Sequence, residues 1–448
     1  MNPARWLSPT VLVATSATLV CLVGMAPAHA APGDERWFER FGTSYQAGAN
    51  ELIVASSGHI FVTGADMTDD NNLDYATVSY NKSGHRLWVK HYHGPRQDPA
   101  NDGDEATDIA LGPTEHRLYI TGTSDDTVSG ADWATVAYRT DGRRLWARRY
   151  DGPAGLDDAH PSIAVSAQTG RIFVTGNSPG RNSESDITTI AYSPGGHRLW
   201  TRRYDGPASG TDQAADVLVS PGGRRLYVLG TTTTAKRGQD VVVIAYRANG
   251  SRIWRHRFDG PTSGDDSASS GVLGPNGRHL YVTGGSDHDY LTMTYRRDGA
   301  QLWSDQYDGP AGGEDFGTEV VVAPDSRSIF VTGQSQGAAD DDVATLSYTS
   351  DGARRWVTRY DSSGADSQGA IAMSPDGSHV FVGTGHSTFT TIAYTSDGNQ
   401  DWIKSERWNG EGAEPNDIAV SPDGTFVVIT GEERDVYWFA GTIAYSTQ

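Results

Sequence analysis

The chain has 448 residues, with 36 Lys and Arg against 56 Asp and Glu, which gives a formal net charge of −20. Nucleic acids and anionic membrane surfaces are poor partners for so acidic a chain, because binding them requires clustered basic side chains that displace counterions. Cations, cationic proteins and neutral glycans remain open as ligands.

The first thirty residues have the pattern of a secretory signal peptide. Arg5 precedes an apolar run from about residue 11 to residue 26, and Ala28-His29-Ala30 then fits the small-x-small pattern of a cleavage site. We therefore expect export, with a mature chain from Ala31 and no membrane insertion, since no later apolar run approaches the length of a membrane span. Cys21, the only cysteine, lies in the apolar run, so the mature chain is expected to lack disulfides and zinc–thiolate sites.

Two aromatic residues recur eight times along residues 31–448. The tryptophans are Trp37, Trp88, Trp146, Trp200, Trp254, Trp303, Trp356 and Trp402. The tyrosines, each at the end of a Thr-rich segment, are Tyr80, Tyr138, Tyr192, Tyr246, Tyr295, Tyr348, Tyr394 and Tyr445. Their spacing of 46–58 residues is typical of a four-stranded propeller blade. The sequence therefore predicts one all-β domain over residues 31–448, an eight-bladed β-propeller of four-stranded antiparallel blades.

One repeat illustrates the predicted strands. Residues 214–220, 225–230, 240–246 and 252–259 alternate β-branched or aromatic residues with small or polar ones, and Gly-rich turns separate them. The first strand, rich in Ala, Gly and Ser in several repeats, is expected at the crowded axis. The Leu-Trp strand is expected outermost, where arginines would keep its edge from pairing with other chains. The arginines are Arg148, Arg149, Arg202 and Arg203.

The phase of the repeats predicts how the ring closes. The mature chain opens with an outer strand around Trp37 that has no preceding inner strands, and the last repeat ends after its third strand, at Tyr445. We therefore expect the N-terminal strand to complete blade eight and to hold both ends of the chain in one sheet.

The turn sequences carry a family resemblance. Residues 219–228 and 420–424, with their Ser-Pro-Gly-Gly and Ser-Pro-Asp-Gly turns, resemble the SBBP and YVTN-type propeller repeats of bacterial exported proteins. The Gly-x-x-Leu-Trp element at residues 142–146 is similar to repeats of quinoprotein propellers. The resemblance implies a propeller fold over nearly all of residues 35–448 and says little about function, because these motifs are turn and packing signals.

Two series of aspartates recur where strands leave the face that has the longer loops. The first comprises Asp104, Asp158, Asp212, Asp266, Asp315 and Asp366, and the second comprises Asp74, Asp132, Asp186, Asp240, Asp289 and Asp342. The favoured interpretation is structural, with each Asp accepting backbone N–H groups of its own loop. The alternative is that the first series, together with Asp102 in the calcium-loop-like segment 101–105, binds Ca²⁺; no other cofactor is expected.

Three further residues are candidates for ligand binding. Tyr437 and Trp438, in the irregular last repeat, would form a sugar-stacking platform if exposed, or would pack near Trp37 and Phe38 if buried. His160, two residues after Asp158, is the one histidine considered as a general base, although no nucleophile or oxyanion motif accompanies it.

The regular repeats and the missing catalytic signature favour a secreted, monomeric binding protein over an enzyme. Its ligand would be a glycan, a protein or the cell wall, bound on the acidic long-loop face. The alternatives are a propeller enzyme of the lyase, glycosidase or quinoprotein kind, with residues dispersed over several blades, and a calcium-stabilised structural module.

Overall fold

The computed structural model describes residues 30–42, 47–68, 72–95, 103–126, 130–235, 238–362, 364, 366, 369–386, 388–406, 412–434 and 438–447. Within these ranges the regular structure consists of 32 β-strands, grouped into eight four-stranded antiparallel sheets. Residues 1–29 of the predicted signal peptide, Asp102 and Tyr437 lie outside the described residues. No helix in the described ranges is long and apolar enough to cross a bilayer.

The sheets are numbered as blades in chain order, each with its strands from the axis outward. Blade 1 comprises β2 (Ala47–Val54), β3 (Ile60–Met67), β4 (Leu73–Tyr80) and β5 (Arg86–Tyr92); blade 2 comprises β6 (Glu105–Leu111), β7 (Arg117–Asp126), β8 (Gly130–Arg139) and β9 (Arg144–Tyr150). Blade 3 comprises β10 (Ala159–Val165), β11 (Ile172–Pro179), β12 (Ser185–Tyr192) and β13 (Arg198–Tyr204); blade 4 comprises β14 (Asp212–Val219), β15 (Arg225–Thr234), β16 (Gly238–Arg247) and β17 (Arg252–Phe258). Blade 5 comprises β18 (Asp266–Leu273), β19 (His279–Ser286), β20 (Asp289–Arg296) and β21 (Gln301–Tyr307); blade 6 comprises β22 (Asp315–Val322), β23 (Ser328–Gln336), β24 (Asp341–Thr349) and β25 (Arg354–Tyr360). Blade 7 comprises β26 (Ala370–Met373), β27 (His379–Gly385), β28 (Phe389–Thr395) and β29 (Gln400–Glu406); blade 8 comprises β30 (Gly412–Val420), β31 (Phe426–Arg434), β32 (Trp438–Ser446) and β1 (Glu35–Phe41).

The blades form a closed ring with the small-residue strands at the axis. Each first strand contacts the first strand of the next blade, from β2 to β6 and onward to β30, and β30 contacts β2 again. The strand that contains the recurring tryptophan is outermost in every sheet. The predicted eight-bladed propeller and its order of strands are therefore confirmed.

The N-terminal strand closes the ring as predicted. β1 pairs with β32 in antiparallel register, with Trp37 opposite Ala444 and Phe41 opposite Ala440. Arg40 of β1 forms a 2.8 Å ion pair with the buried carboxylate of Glu433 on β31. Blade 8 thus unites the two ends of the described chain.

The recurring tryptophan joins each blade to the next. Trp146 of blade 2 donates a 3.1 Å hydrogen bond from Nε1 to the carbonyl oxygen of Pro194 in blade 3. Its ring lies against Gly196, whose φ of +79° and close approach leave no room for a Cβ atom. The Gly-containing turn after each third strand is therefore both a tight turn and the surface that receives the indole.

Candidate functional site

The first aspartate series occupies buried corners between consecutive blades. Asp158 and Asp315 are 0% and 2% exposed, and each accepts a 2.7 Å hydrogen bond from the backbone N–H of the glycine six residues earlier, Gly152 and Gly309. Asp104, Asp212, Asp266 and Asp366 accept the equivalent backbone N–H. These contacts fix the chain between an outer strand and the next inner strand. They agree with the structural interpretation and leave metal binding by these residues a prediction.

The second series is paired with arginines in four blades. The Arg–Asp distances are 2.9 Å for Arg149–Asp132, 3.0 Å for Arg203–Asp186, 2.8 Å for Arg257–Asp240 and 2.6 Å for Arg359–Asp342. Arg149 and Arg203 therefore bind inward to a carboxylate of their own blade. The expectation that these two arginines serve to blunt the outer edge is corrected, because the buried carboxylate is their partner.

A third aspartate completes a cluster at several corners. In four clusters the Asp that opens the Asp-Gly-Pro turn has a carboxylate oxygen within 4.8 Å of an Asp of each series, and in the fifth cluster Asp361 has one within 4.8 Å of Asp340 and Asp342. The clusters, named corner triads here, are Asp132–Asp151–Asp158, Asp186–Asp205–Asp212, Asp240–Asp259–Asp266, Asp289–Asp308–Asp315 and Asp340–Asp342–Asp361. Burial raises the pKa of Asp158 to about 7 and that of Asp266 to about 6.

The remaining predicted residues lie apart from these corners. Trp438 begins β32 and is 36% exposed, so an aromatic surface is available there. His160 lies at a bulge in β10, in the left-handed region with φ of 50°, and its Nδ1 is 3.4 Å from Nδ2 of Asn177. His160 lines the central channel, near whose mouth the sequence predicted a binding surface, but the carboxyl groups inside the channel were not predicted.

Five carboxyl groups line this channel at one level. A cavity of about 500 Å³ is bounded by the middle of the inner strands and contains Glu51, Asp108, Asp216, Glu319 and Asp417, which we name the channel belt. In register, blades 3, 5 and 7 have Ser162, Ser270 and Ala370 at the same position. No Lys or Arg lies among the described residues that line the cavity.

A β-bulge places each of the five belt side chains. The inner strands have a register shift immediately before Glu51, Asp108, Asp216, Glu319 and Asp417. The bulge adds a residue and turns the side chain that follows it. The carboxyl groups are therefore presented along the channel edge of the sheets.

Four belt carboxylates connect neighbouring blades. Asp108, Asp216, Glu319 and Asp417 accept the backbone N–H of Ile163, Gly271, Ile371 and Leu52 in the following blade, at 2.7, 3.3, 2.8 and 2.7 Å. The inner strand is an edge strand whose N–H groups have no further strand to pair with, so these carboxylates satisfy them.

Burial and mutual repulsion raise the pKa of the belt carboxyl groups. The pKa is about 7 for Asp108, about 8 for Glu319 and about 6 for Asp417, each raised mainly by burial and, for Glu319, also by the charge of Asp417. The pKa of Glu51 is raised well above its usual value by burial and by the charges of Asp417 and Asp108. The belt therefore retains protons near neutral pH.

The comparisons with known proteins identify the fold. No family model and no curated protein matches the chain. Among solved structures it is similar to Sqt1 from Chaetomium thermophilum, with a TM-score of 0.63, 11% identity and coverage of 92% of this chain and 98% of that one. The chain is a propeller repeat protein. The propeller of Dos1 matches with a TM-score of 0.61 and 10% identity, covering 94% of this chain and 95% of that chain.

A WD40 domain is also among the similar structures. The C-terminal WD40 domain of Sif2 matches with a TM-score of 0.55 and 9% identity, over 90% of this chain and 97% of that chain. In another structure of Sqt1 from the same organism, that protein is bound to the N-terminus of the ribosomal protein L10; it matches with a TM-score of 0.61 and 11% identity, over 92% of this chain and 100% of that chain. At these identities the likeness establishes the architecture alone.

Proposed function

We propose that this propeller is an exported binding protein that receives a cationic segment of a partner protein on its long-loop face, with a Lys or Arg side chain in the central channel. The observation that carries the proposal is the channel belt, five carboxyl groups around a cavity of about 500 Å³ without a Lys or Arg in its described lining.

The charge of the long-loop face supports the same ligand. The inner strands begin on this face, and Asp151, Asp157, Asp205, Asp265 and Asp308 are exposed there. A cleft lined by one sign of charge raises the local concentration of oppositely charged ligands and speeds their association. The propeller structure that holds the N-terminus of another protein is a precedent for a peptide ligand in this architecture.

The belt is better suited to binding than to catalysis. Both carboxylate oxygens of Asp108 and of Asp417 accept backbone N–H groups, which holds these side chains in place as fixed acceptors. His160 lines the same cavity, and its Nδ1 lies 3.4 Å from the amide nitrogen of Asn177. This arrangement supports an interaction protein over the alternative of a propeller hydrolase or lyase. A glycan on Trp438 remains a second proposed ligand, because this indole is partly exposed.

The test is the binding of a fluorescein-labelled oligolysine peptide, followed by fluorescence anisotropy at about pH 8.5 and low salt. The double variant Asp108→Asn/Glu319→Gln keeps an amide oxygen that can accept the N–H of Ile163 and of Ile371. We expect it to bind the peptide at least about tenfold more weakly than the parent, which corresponds to about 1.4 kcal/mol.

The matched control is Asp325→Asn, which removes an exposed carboxylate from the turn between β22 and β23 on the opposite face. This variant should bind as the parent does. If the parent and the double variant bind the peptide with equal affinity, the proposal that the ligand enters the channel is contradicted.

A further inference from the structure

The corner between blades 5 and 6 differs from the other corner triads in its charge balance. At four corners an arginine of the outer strand binds the carboxylate of the second series, as Arg203 binds Asp186 at 3.0 Å. At the corner of Asp289, Asp308 and Asp315, the residue in the position of that arginine is Gln306, directly before Tyr307.

Gln306 does not supply the missing charge. Its Nε2 donates to Oγ and to the carbonyl oxygen of Ser286, at 2.8 and 3.2 Å. In the described part of the chain, no Lys or Arg forms an ion pair with Asp289, Asp308 or Asp315. Three carboxylates thus lie together without the cation that the other corners contain.

A buried oxygen at this corner also lacks a donor. Asp315 is 2% exposed, and its Oδ2 accepts the N–H of Gly309 at 2.7 Å. Its Oδ1 is buried and has no hydrogen-bond donor among the described residues. A buried carboxylate oxygen in this state is unfavourable unless a cation or a proton satisfies it.

The corner is open to solvent on one side. Asp289, Asp308, Gly312 and Glu314 line a surface cavity of about 390 Å³, and Asp308 is exposed. Glu314 is paired with His288 at 2.6 Å. A hydrated ion can therefore reach the triad, and water can complete its coordination.

We propose that Asp289, Asp308 and Asp315 form a Ca²⁺ site of the propeller. One oxygen from each carboxylate lies within 4.8 Å of the others, the separation of oxygens that share an ion at 2.3–2.6 Å, as Ca²⁺ ligands do. Ca²⁺ accepts carboxylates and water in variable geometry, whereas Mg²⁺ requires near-octahedral ligands. At the four other corner triads an arginine that is ion-paired with the second-series Asp supplies positive charge instead. This site is independent of the channel belt.

The experiment is calorimetric titration of the chelator-treated protein with CaCl₂, alongside the variant Gln306→Arg. The parent should bind one Ca²⁺ with an affinity in the range of extracellular modules, roughly 10⁻⁴–10⁻³ M. Gln306→Arg should weaken binding at least tenfold, because it supplies the cation that four other corners accommodate. Asp289→Asn should weaken it as well and keeps the test valid if the arginine variant does not fold.

The matched control is Gln301→Arg, at the other end of β21, where the same substitution adds the same charge about 16 Å away. It should bind Ca²⁺ as the parent does. The proposal is overturned if the folded parent takes up no Ca²⁺, if several corners bind it equally, or if Gln306→Arg binds as the parent does.

Discussion

Among single residues, Glu51 differs from the other belt carboxyl groups in its hydrogen-bond partner. Each of the other four accepts an N–H from the following blade, whereas Glu51 shares a hydrogen bond with Asp417. Asp417 is already held by the N–H groups of Leu52 and Ile418 at 2.7 Å. Burial and the charge of Asp417 raise the pKa of Glu51 well above its usual value.

The belt pKa values predict how stability varies with pH. The pKa values of Asp108, Glu319 and Asp417, about 7, 8 and 6, lie above those of the unfolded chain, near 4. Between about pH 4 and pH 8 the folded state therefore binds more protons than the unfolded state, and the free energy of unfolding falls as pH rises. We expect the melting temperature to fall from pH 5 to pH 8.

The variant Glu319→Gln isolates one of these groups. The glutamine side chain cannot ionise, so the variant lacks this contribution to the pH dependence. The free energy of unfolding of the variant minus that of the parent should therefore rise by at least about 1 kcal/mol from pH 5 to pH 8. Asp325→Asn, an exposed carboxyl on the opposite face, is the control. A parent that is equally stable at both pH values, or a variant with an unchanged slope, would refute this explanation of the belt.

At the level of elements, β1 is the strand on which closure depends. It satisfies the outer edge of β32, and its Arg40 lies 2.8 Å from Glu433, which is 2% exposed. Removing the guanidinium leaves a buried carboxylate with one donor fewer. We expect Arg40→Ala to lower the free energy of unfolding in urea by about 1–3 kcal/mol.

Arg36→Ala is the matched control on the same strand. Arg36 is exposed, and its guanidinium donates to the carbonyl oxygen of Thr425 at 3.2 Å. Its loss should cost less than about 1 kcal/mol, as for other exposed groups. If the two alanine variants have the same free energy of unfolding, the ion pair of Arg40 with Glu433 does not stabilise blade 8 as we predict.

The repeat pattern was sufficient to predict the elements, and insufficient to find the belt. Trp146 and Tyr192 recur because every blade needs the same packing, and the unmatched strand at Trp37 predicted the pairing with β32. The sequence did not predict Asp216 as a site residue, because blades 3 and 5 have serine at the same position and the residue type therefore does not repeat from blade to blade. The positions become equivalent only when the strands are aligned by the β-bulge that precedes each of them. Likewise, Gln306 becomes notable only because the structure shows that the arginines at the same position in four other blades bind carboxylates.

The whole molecule combines a net charge of −20 with an acidic mouth and a partly protonated channel. A cationic side chain that enters the channel stabilises the ionised form of each belt carboxyl and lowers its pKa. Because the pKa values of Asp108 and Glu319 are about 7 and 8, binding at pH 7 must displace protons into solution. Binding should accordingly strengthen as pH rises from about 6 to 8.

Proton release on binding is the most direct measurement of this account. Oligolysine is titrated into the protein at pH 7 by calorimetry, in phosphate and in Tris, which differ strongly in their heats of ionisation. We predict a net release of protons, seen as more heat evolved in Tris than in phosphate, and its loss in Asp108→Asn/Glu319→Gln. Equal heats in the two buffers, or an uptake of protons, would contradict a cationic ligand in the channel.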